Sequence, residues 1–84
     1  GDQIFVNTTS AVVTVNLPAS PEAGDTVTII DVRNYFGSNK CTVGRNGKNI
    51  LNLAQDLDLT TNKMSVTLVY TDATCGWNYL SKAT

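Results

Sequence analysis

Over residues 64–71 the chain alternates in character. Met64, Val66, Leu68 and Tyr70 fall on one side, and Ser65, Thr67, Val69 and Thr71 on the other. Successive side chains of an extended strand point to opposite faces, so this period of two predicts a strand with one buried and one wetter face. Residues 11–17 repeat the pattern: Ala11, Val13, Val15 and Leu17 share a face, opposite Thr14 and Asn16 together with Val12. The same spacing pairs Val27 with Ile29, Cys41 with Val43, Leu57 with Leu59, and Trp77 with Tyr79, while Ile4 and Val6 make a short opening strand. Only residues 49–55 look helical, and that stretch is too short for more than a turn.

Turn chemistry separates these segments. Residues 18–25 form a Pro-containing loop ending in Gly24-Asp25, and residues 34–39 a second loop ending in Gly37-Ser38-Asn39. Asn46-Gly47 is the strongest short hairpin signal, because a type I′ turn needs positive φ at both central residues. Thr61-Asn62-Lys63 makes a short link, and residues 72–76 join the last two strands. The expected fold is all-β: one domain spanning residues 1–84, mostly antiparallel, a sandwich or small barrel of about seven short strands. One segment breaks phase. Val27 and Ile29 are followed by Ile30 and Val32, which implies either a bulge near Ile29 or a strand covered on both faces.

A chain of 84 residues buries only about 60% of the surface it exposes when unfolded, so stability borrowed from a partner is plausible. Charged residues make up 15% of the chain and the net charge is −1, with no cluster of Lys or Arg. Nucleic-acid affinity draws on a basic surface, so no nucleic-acid partner is expected. No apolar run approaches the roughly 18 residues of a membrane span, and no membrane partner is expected. The start, Gly1-Asp2-Gln3, has neither an initiator Met nor a signal-peptide core, and the chain is expected to be a piece of a longer protein.

Chemistry is sparse. With no His and no CxxC, a zinc site lacks ligands, and no cofactor is implied. Cys41 and Cys75 allow one disulfide, but two isolated cysteines make no secreted framework and read as buried or half-buried free thiols. Asp56 and Asp58 share a strand face as a glycosidase pair would, yet they also fit a solvated face opposite Leu57 and Leu59. Gly44-Arg45-Asn46-Gly47-Lys48 has the wrong spacing for a phosphate loop and reads as a hairpin tip. Asn7-Thr8-Thr9 matches the N-glycosylation pattern, which is common by chance. Trp77, Tyr79 and Tyr70 continue inward faces, whereas Tyr35-Phe36 adjoins a loop and is the better candidate for an exposed contact.

The order of motifs adds a resemblance. Val13-Thr14-Val15-Asn16-Leu17-Pro18 is followed by Gly24-Asp25-Thr26-Val27, Ile30-Asp31-Val32, Cys41-Thr42-Val43, Asn49-Ile50, Leu68-Val69-Tyr70 and Gly76-Trp77. This succession, from Ile4 to about Leu80, resembles small β domains of contractile-tailed bacteriophage tail proteins: the baseplate wedge protein that carries short tail fibres, and the virion-anchoring regions of branched tailspikes. The resemblance implies a non-enzymatic domain in the virion, part of a homotrimer, docking onto other tail proteins (tailspikes, fibres or baseplate). It brings no catalytic motif. A receptor-binding module for host surface carbohydrate is the alternative. The expected subunit or partner contact is Ile30, Val32, Tyr35 and Phe36.

Overall fold

A computed structural model describes residues 2–83. Each period-two segment forms a strand: β1 (Asp2–Val6), β2 (Val13–Asn16), β3 (Thr26–Asp31), β4 (Cys41–Gly44), β5 (Leu57–Leu59), β6 (Ser65–Tyr70) and β7 (Trp77–Ala83). They build a four-stranded sheet in the order β1-β3-β6-β7 and a three-stranded sheet in the order β2-β4-β5. Inward residues of both sheets meet in one sandwich-like core. Val27, Ile29, Val66 and Leu68 come from the larger sheet, Cys41, Val43 and Leu59 from the smaller, and Phe36, Ile50 and Met64 from the connections.

Pairing is mostly antiparallel, as expected, but each sheet is mixed, which the alternation did not reveal. β1 runs parallel to β3 and β2 parallel to β4, while β3/β6, β4/β5 and β6/β7 are antiparallel. The first four strands alternate between the sheets, so the chain coils around the core and re-enters each sheet travelling in its original direction. Side-chain alternation specifies which face of a strand is buried and carries no information on the direction of its neighbour.

The phase break at Ile29 to Val32 is explained by Asp31. Register from β1 to β3 and from β3 to β6 runs unbroken through Ile30, and burial alternates along the whole of β3. Neither a bulge nor a phase change is present there. Asp31 occupies the inward position after Ile29 and is only 5% exposed. Its Oδ1 accepts the Tyr35 N–H at 3.1 Å, and its Oδ2 accepts the Phe36 and Lys63 N–H groups, each at 3.1 Å. Hydrogen bonds to a charged group contribute about 1.5–3 kcal/mol each, enough together to offset the several kcal/mol that burying a carboxylate costs. The carboxylate thus ties the end of β3 to the loop after it and to the turn before β6.

The Asn46-Gly47 turn forms as expected, with φ of 50° and 86° and the Lys48 N–H donating to the Arg45 carbonyl at 3.1 Å. It does not join two paired strands, because the partner of β4 begins only at Leu57. Instead the turn redirects the chain toward the other sheet, where Ile50 bridges Trp77. Leu51 and Asn52 then form a second tight turn at positive φ, and Ile50 and Leu53 exchange both backbone hydrogen bonds across it. This is the segment that looked helical in sequence.

Trp77 anchors that junction. It is fully buried, edge-on to Tyr70 with ring centroids 5.5 Å apart. Its Nε1–H has no acceptor among the described residues, a cost of about 1–3 kcal/mol. Burying an indole of roughly 200 Å² returns about 5 kcal/mol, so packing outweighs the unmet donor.

Two substitution experiments check these assignments by urea unfolding. Asp31→Ala strands three N–H donors, one buried and two part-buried, and is expected to cost about 3–5 kcal/mol, with Asp31→Asn intermediate because one acceptor oxygen remains. At Gly76, φ is +70° and an added Cβ would lie 1.9 Å from the Asn49 carbonyl oxygen, whereas at Gly47, φ is +86° with nothing within 4 Å. Gly47→Ala should therefore show only the backbone penalty of about 1–2 kcal/mol, and Gly76→Ala at least twice that.

Candidate docking face

Alternation along β1, β3 and β6 turns one set of side chains away from the core, onto the outer face of the four-stranded sheet. Register aligns them in rows. Phe5 lies opposite Ile30, Ile30 opposite Ser65, and Ser65 opposite Ala83. In the next row Gln3, Thr28, Thr67 and Ser81 are neighbours, and the Thr28 and Thr67 hydroxyls are hydrogen-bonded at 2.9 Å. None of these eight residues is charged.

A bulge extends the face. Leu68 pairs with Tyr79 and Thr67 with Ser81, so Leu80 is the extra residue, unpaired and exposed. The shift brings Ser81 to the outer face, where strict alternation from Trp77 and Tyr79 would turn it inward. It also sets Lys82 opposite Val66, with its ammonium 5.4 Å from the centroid of the Tyr79 ring. A cation held over an aromatic face in this way gains about 0.5–1 kcal/mol.

The three-stranded sheet carries charge on its exposed side. Asp58 accepts Lys40 Nζ at 3.2 Å and the Thr42 hydroxyl at 3.1 Å, and Asp56 accepts the Arg45 N–H at 2.9 Å. Both carboxylates hold local structure, and the exposed Lys40–Asp58 pair contributes about 0–1 kcal/mol. The Asn7-Thr8-Thr9 segment is a local turn in which Asn7 Oδ1 accepts both the N–H and the hydroxyl of Thr9, and Asn39 Nδ2 donates to the Thr8 carbonyl.

The expected contact residues divide. Ile30 is half-buried on the outer face, and Val32, 44% exposed, follows it just beyond β3. Tyr35, in the loop after β3, is 41% exposed. Phe36 requires correction: it is 1% exposed and belongs to the core. The two oxygens of Asp31 draw in the N–H groups of residues 35 and 36, and within this turn the Phe36 ring packs inward while the Tyr35 ring stays out. The residue that sequence reasoning passed over is Phe5, 67% exposed beside Ile30. The signal was present: with Ile4 and Val6 inward, alternation puts Phe5 on the opposite face.

Both cysteines are free, Cys41 buried and Cys75 half-buried. Burial, and secondarily the charge of Asp31, push the Cys41 thiol up to about 11. Among the described residues no three His, Cys, Asp or Glu side chains gather as a metal site would require.

The raised Cys41 value has a definite sign. The folded state favours the protonated thiol, so the stability it contributes is complete below the ordinary value of 9.0 and lost as pH rises toward about 11. Wild-type protein should therefore lose more stability than Cys41→Val across that interval in chemical denaturation. At neutral pH a thiol reagent should label Cys75 first and Cys41 only on unfolding.

Compared with models of known protein families and with curated proteins, the chain matches none.

Proposed function

We propose that this chain is a non-enzymatic structural or adaptor domain of a bacteriophage tail, docking a tailspike or fibre to the baseplate or to other tailspikes. The observation that carries the docking reading is the uncharged outer face of β1-β3-β6-β7, with exposed Phe5 at its margin and Val32 beyond it. A protein partner can cover Thr, Ser, Ile and Val side chains without desolvating a charge, which is the main cost of closing a polar surface. The tail assignment is supported by the motif succession, whose pieces coincide with the strands. Val13 to Asn16 is β2, Cys41-Thr42-Val43 opens β4, Leu68-Val69-Tyr70 closes β6, and Trp77 begins β7.

A carbohydrate reader would need aromatic platforms flanked by hydrogen-bonding side chains. Trp77, Tyr70 and Phe36 are buried, and exposed Phe5 has aliphatic Ile30 as its cross-strand neighbour. Docking is therefore the better reading of this face.

The test is surface plasmon resonance against purified tailspike, fibre and baseplate proteins encoded alongside this chain. Binding to one of them should fall about tenfold or more in Phe5→Asp and in Val32→Asp, and stay unchanged in Asp58→Ala on the opposite sheet. Failure to bind any tail component, with capture of host-surface oligosaccharide that Tyr35→Ala abolishes, would replace docking by receptor recognition.

A further inference from the structure

Of the four sheet edges, three carry features that discourage pairing with a further strand. β5 is three residues long with outward Asp58. β2 has four residues and leads directly into Leu17-Pro18. β7 is covered at Trp77, whose N–H donates to the Asn49 carbonyl at 2.8 Å and whose carbonyl accepts the Leu51 N–H at 2.7 Å. It is bulged at Leu80 and carries exposed Lys82. β1 is the least protected: its five residues include no Lys or Pro, its one charged residue is the first, Asp2, and its register with β3 is unbroken.

One hydrogen bond shows which way the β1 backbone points. The Val32 N–H donates to the Val6 carbonyl at 3.2 Å, so Val6 faces β3. In a parallel ladder the N–H and C=O of one residue point to the same side, and successive residues alternate. Ile4 therefore also faces β3, and the N–H and C=O groups of Gln3 and Phe5 face the open edge. Among the described residues no backbone bond reaches them.

We propose that β1 pairs antiparallel with β1 of a second copy of this chain, in the register that sets Gln3 opposite Phe5 and Ile4 opposite Ile4. The free groups are symmetric about Ile4, which is what a two-fold contact requires. Each Gln3–Phe5 pair exchanges two backbone hydrogen bonds, so every open donor and acceptor of Gln3 and Phe5 is used. The two Ile4 residues form the close, non-hydrogen-bonded pair, with Cα atoms about 4.5 Å apart, and their half-buried side chains cover each other. In this register the Asp2 backbone falls opposite Val6. The two outer faces become one continuous uncharged surface on an eight-stranded sheet, and the two-fold leaves neither β1 edge open. This dimer goes beyond the adaptor reading and does not depend on it, and it differs from the three-fold state that the tail-protein resemblance implies.

The experiment is sedimentation equilibrium from about 10 μM to about 1 mM, with amide hydrogen exchange on the same samples. The mass should rise from 9.0 kDa to twice that value, and the Gln3 and Phe5 amides should become protected as it does. Gln3→Pro and Phe5→Pro each remove a donor that faces the open edge and none that bonds β3. Each should weaken the dimer about tenfold or more while the thermal midpoint measured at low concentration is kept. A chain that stays monomeric at about 1 mM, assembles with three times the monomer mass, or dimerises with Gln3 and Phe5 amides still exchanging freely overturns the proposal.

Discussion

A carboxylate can sit inside a domain this small only if donors are brought to it, and Asp31 is where that requirement shapes the molecule. The three N–H groups that reach it belong to two separate connections, residues 35 and 36 after β3 and residue 63 before β6. Satisfying one side chain therefore fixes the course of both. The loop turns so that Phe36 closes that part of the core and Tyr35 remains outside. The turn at Lys63, at positive φ, delivers Met64 and the whole of β6 in register beside β3. The same charge lies near enough to disfavour ionisation of the Cys41 thiol, so the acid and the thiol share an interior that tolerates one charge better than two.

The other end of the sandwich is held by backbone rather than by a side-chain charge. The turn at Leu51 and Asn52 docks on β7, donating from Leu51 to the Trp77 carbonyl and from Asn52 to the Cys75 carbonyl. Gly76 makes this approach possible, because its missing side chain is the space that the Asn49 carbonyl occupies. Trp77 is sealed beneath this contact with an unmet indole donor, so the core at this end is governed by volume and not by polar matching. Both ends share a consequence. The connections are tied down, and the outer face of the larger sheet remains uncharged and open.

Much of the strand content was legible. The inward sets Val27/Ile29, Cys41/Val43 and Met64/Val66/Leu68/Tyr70 are all buried, and the Asn46-Gly47 turn has the positive φ values its residues demand. The misreading in β3 arose where a polar residue does an apolar residue's job. Asp31 in an inward slot looked like a break in phase. Residues 49–55, too short for more than a turn, do form one, with Leu51 at φ 53°. The candidate face was half legible: Ile30 and Val32 were found, and Phe5 followed from the same alternation. Phe36 was misplaced because its position depends on hydrogen bonds to a residue five positions earlier.

Sequence by itself determined that this chain is all-β, which side chains of each strand face inward, and where charge is scarce, because these depend on local alternation and composition. Only the tertiary structure decided that the strands coil between two mixed sheets, that a bulge returns Ser81 to the open face, and that β1 is the least protected edge. Those properties depend on which strands become neighbours, and neighbours are chosen by the packing of the whole core and the course of connections such as the one Asp31 holds.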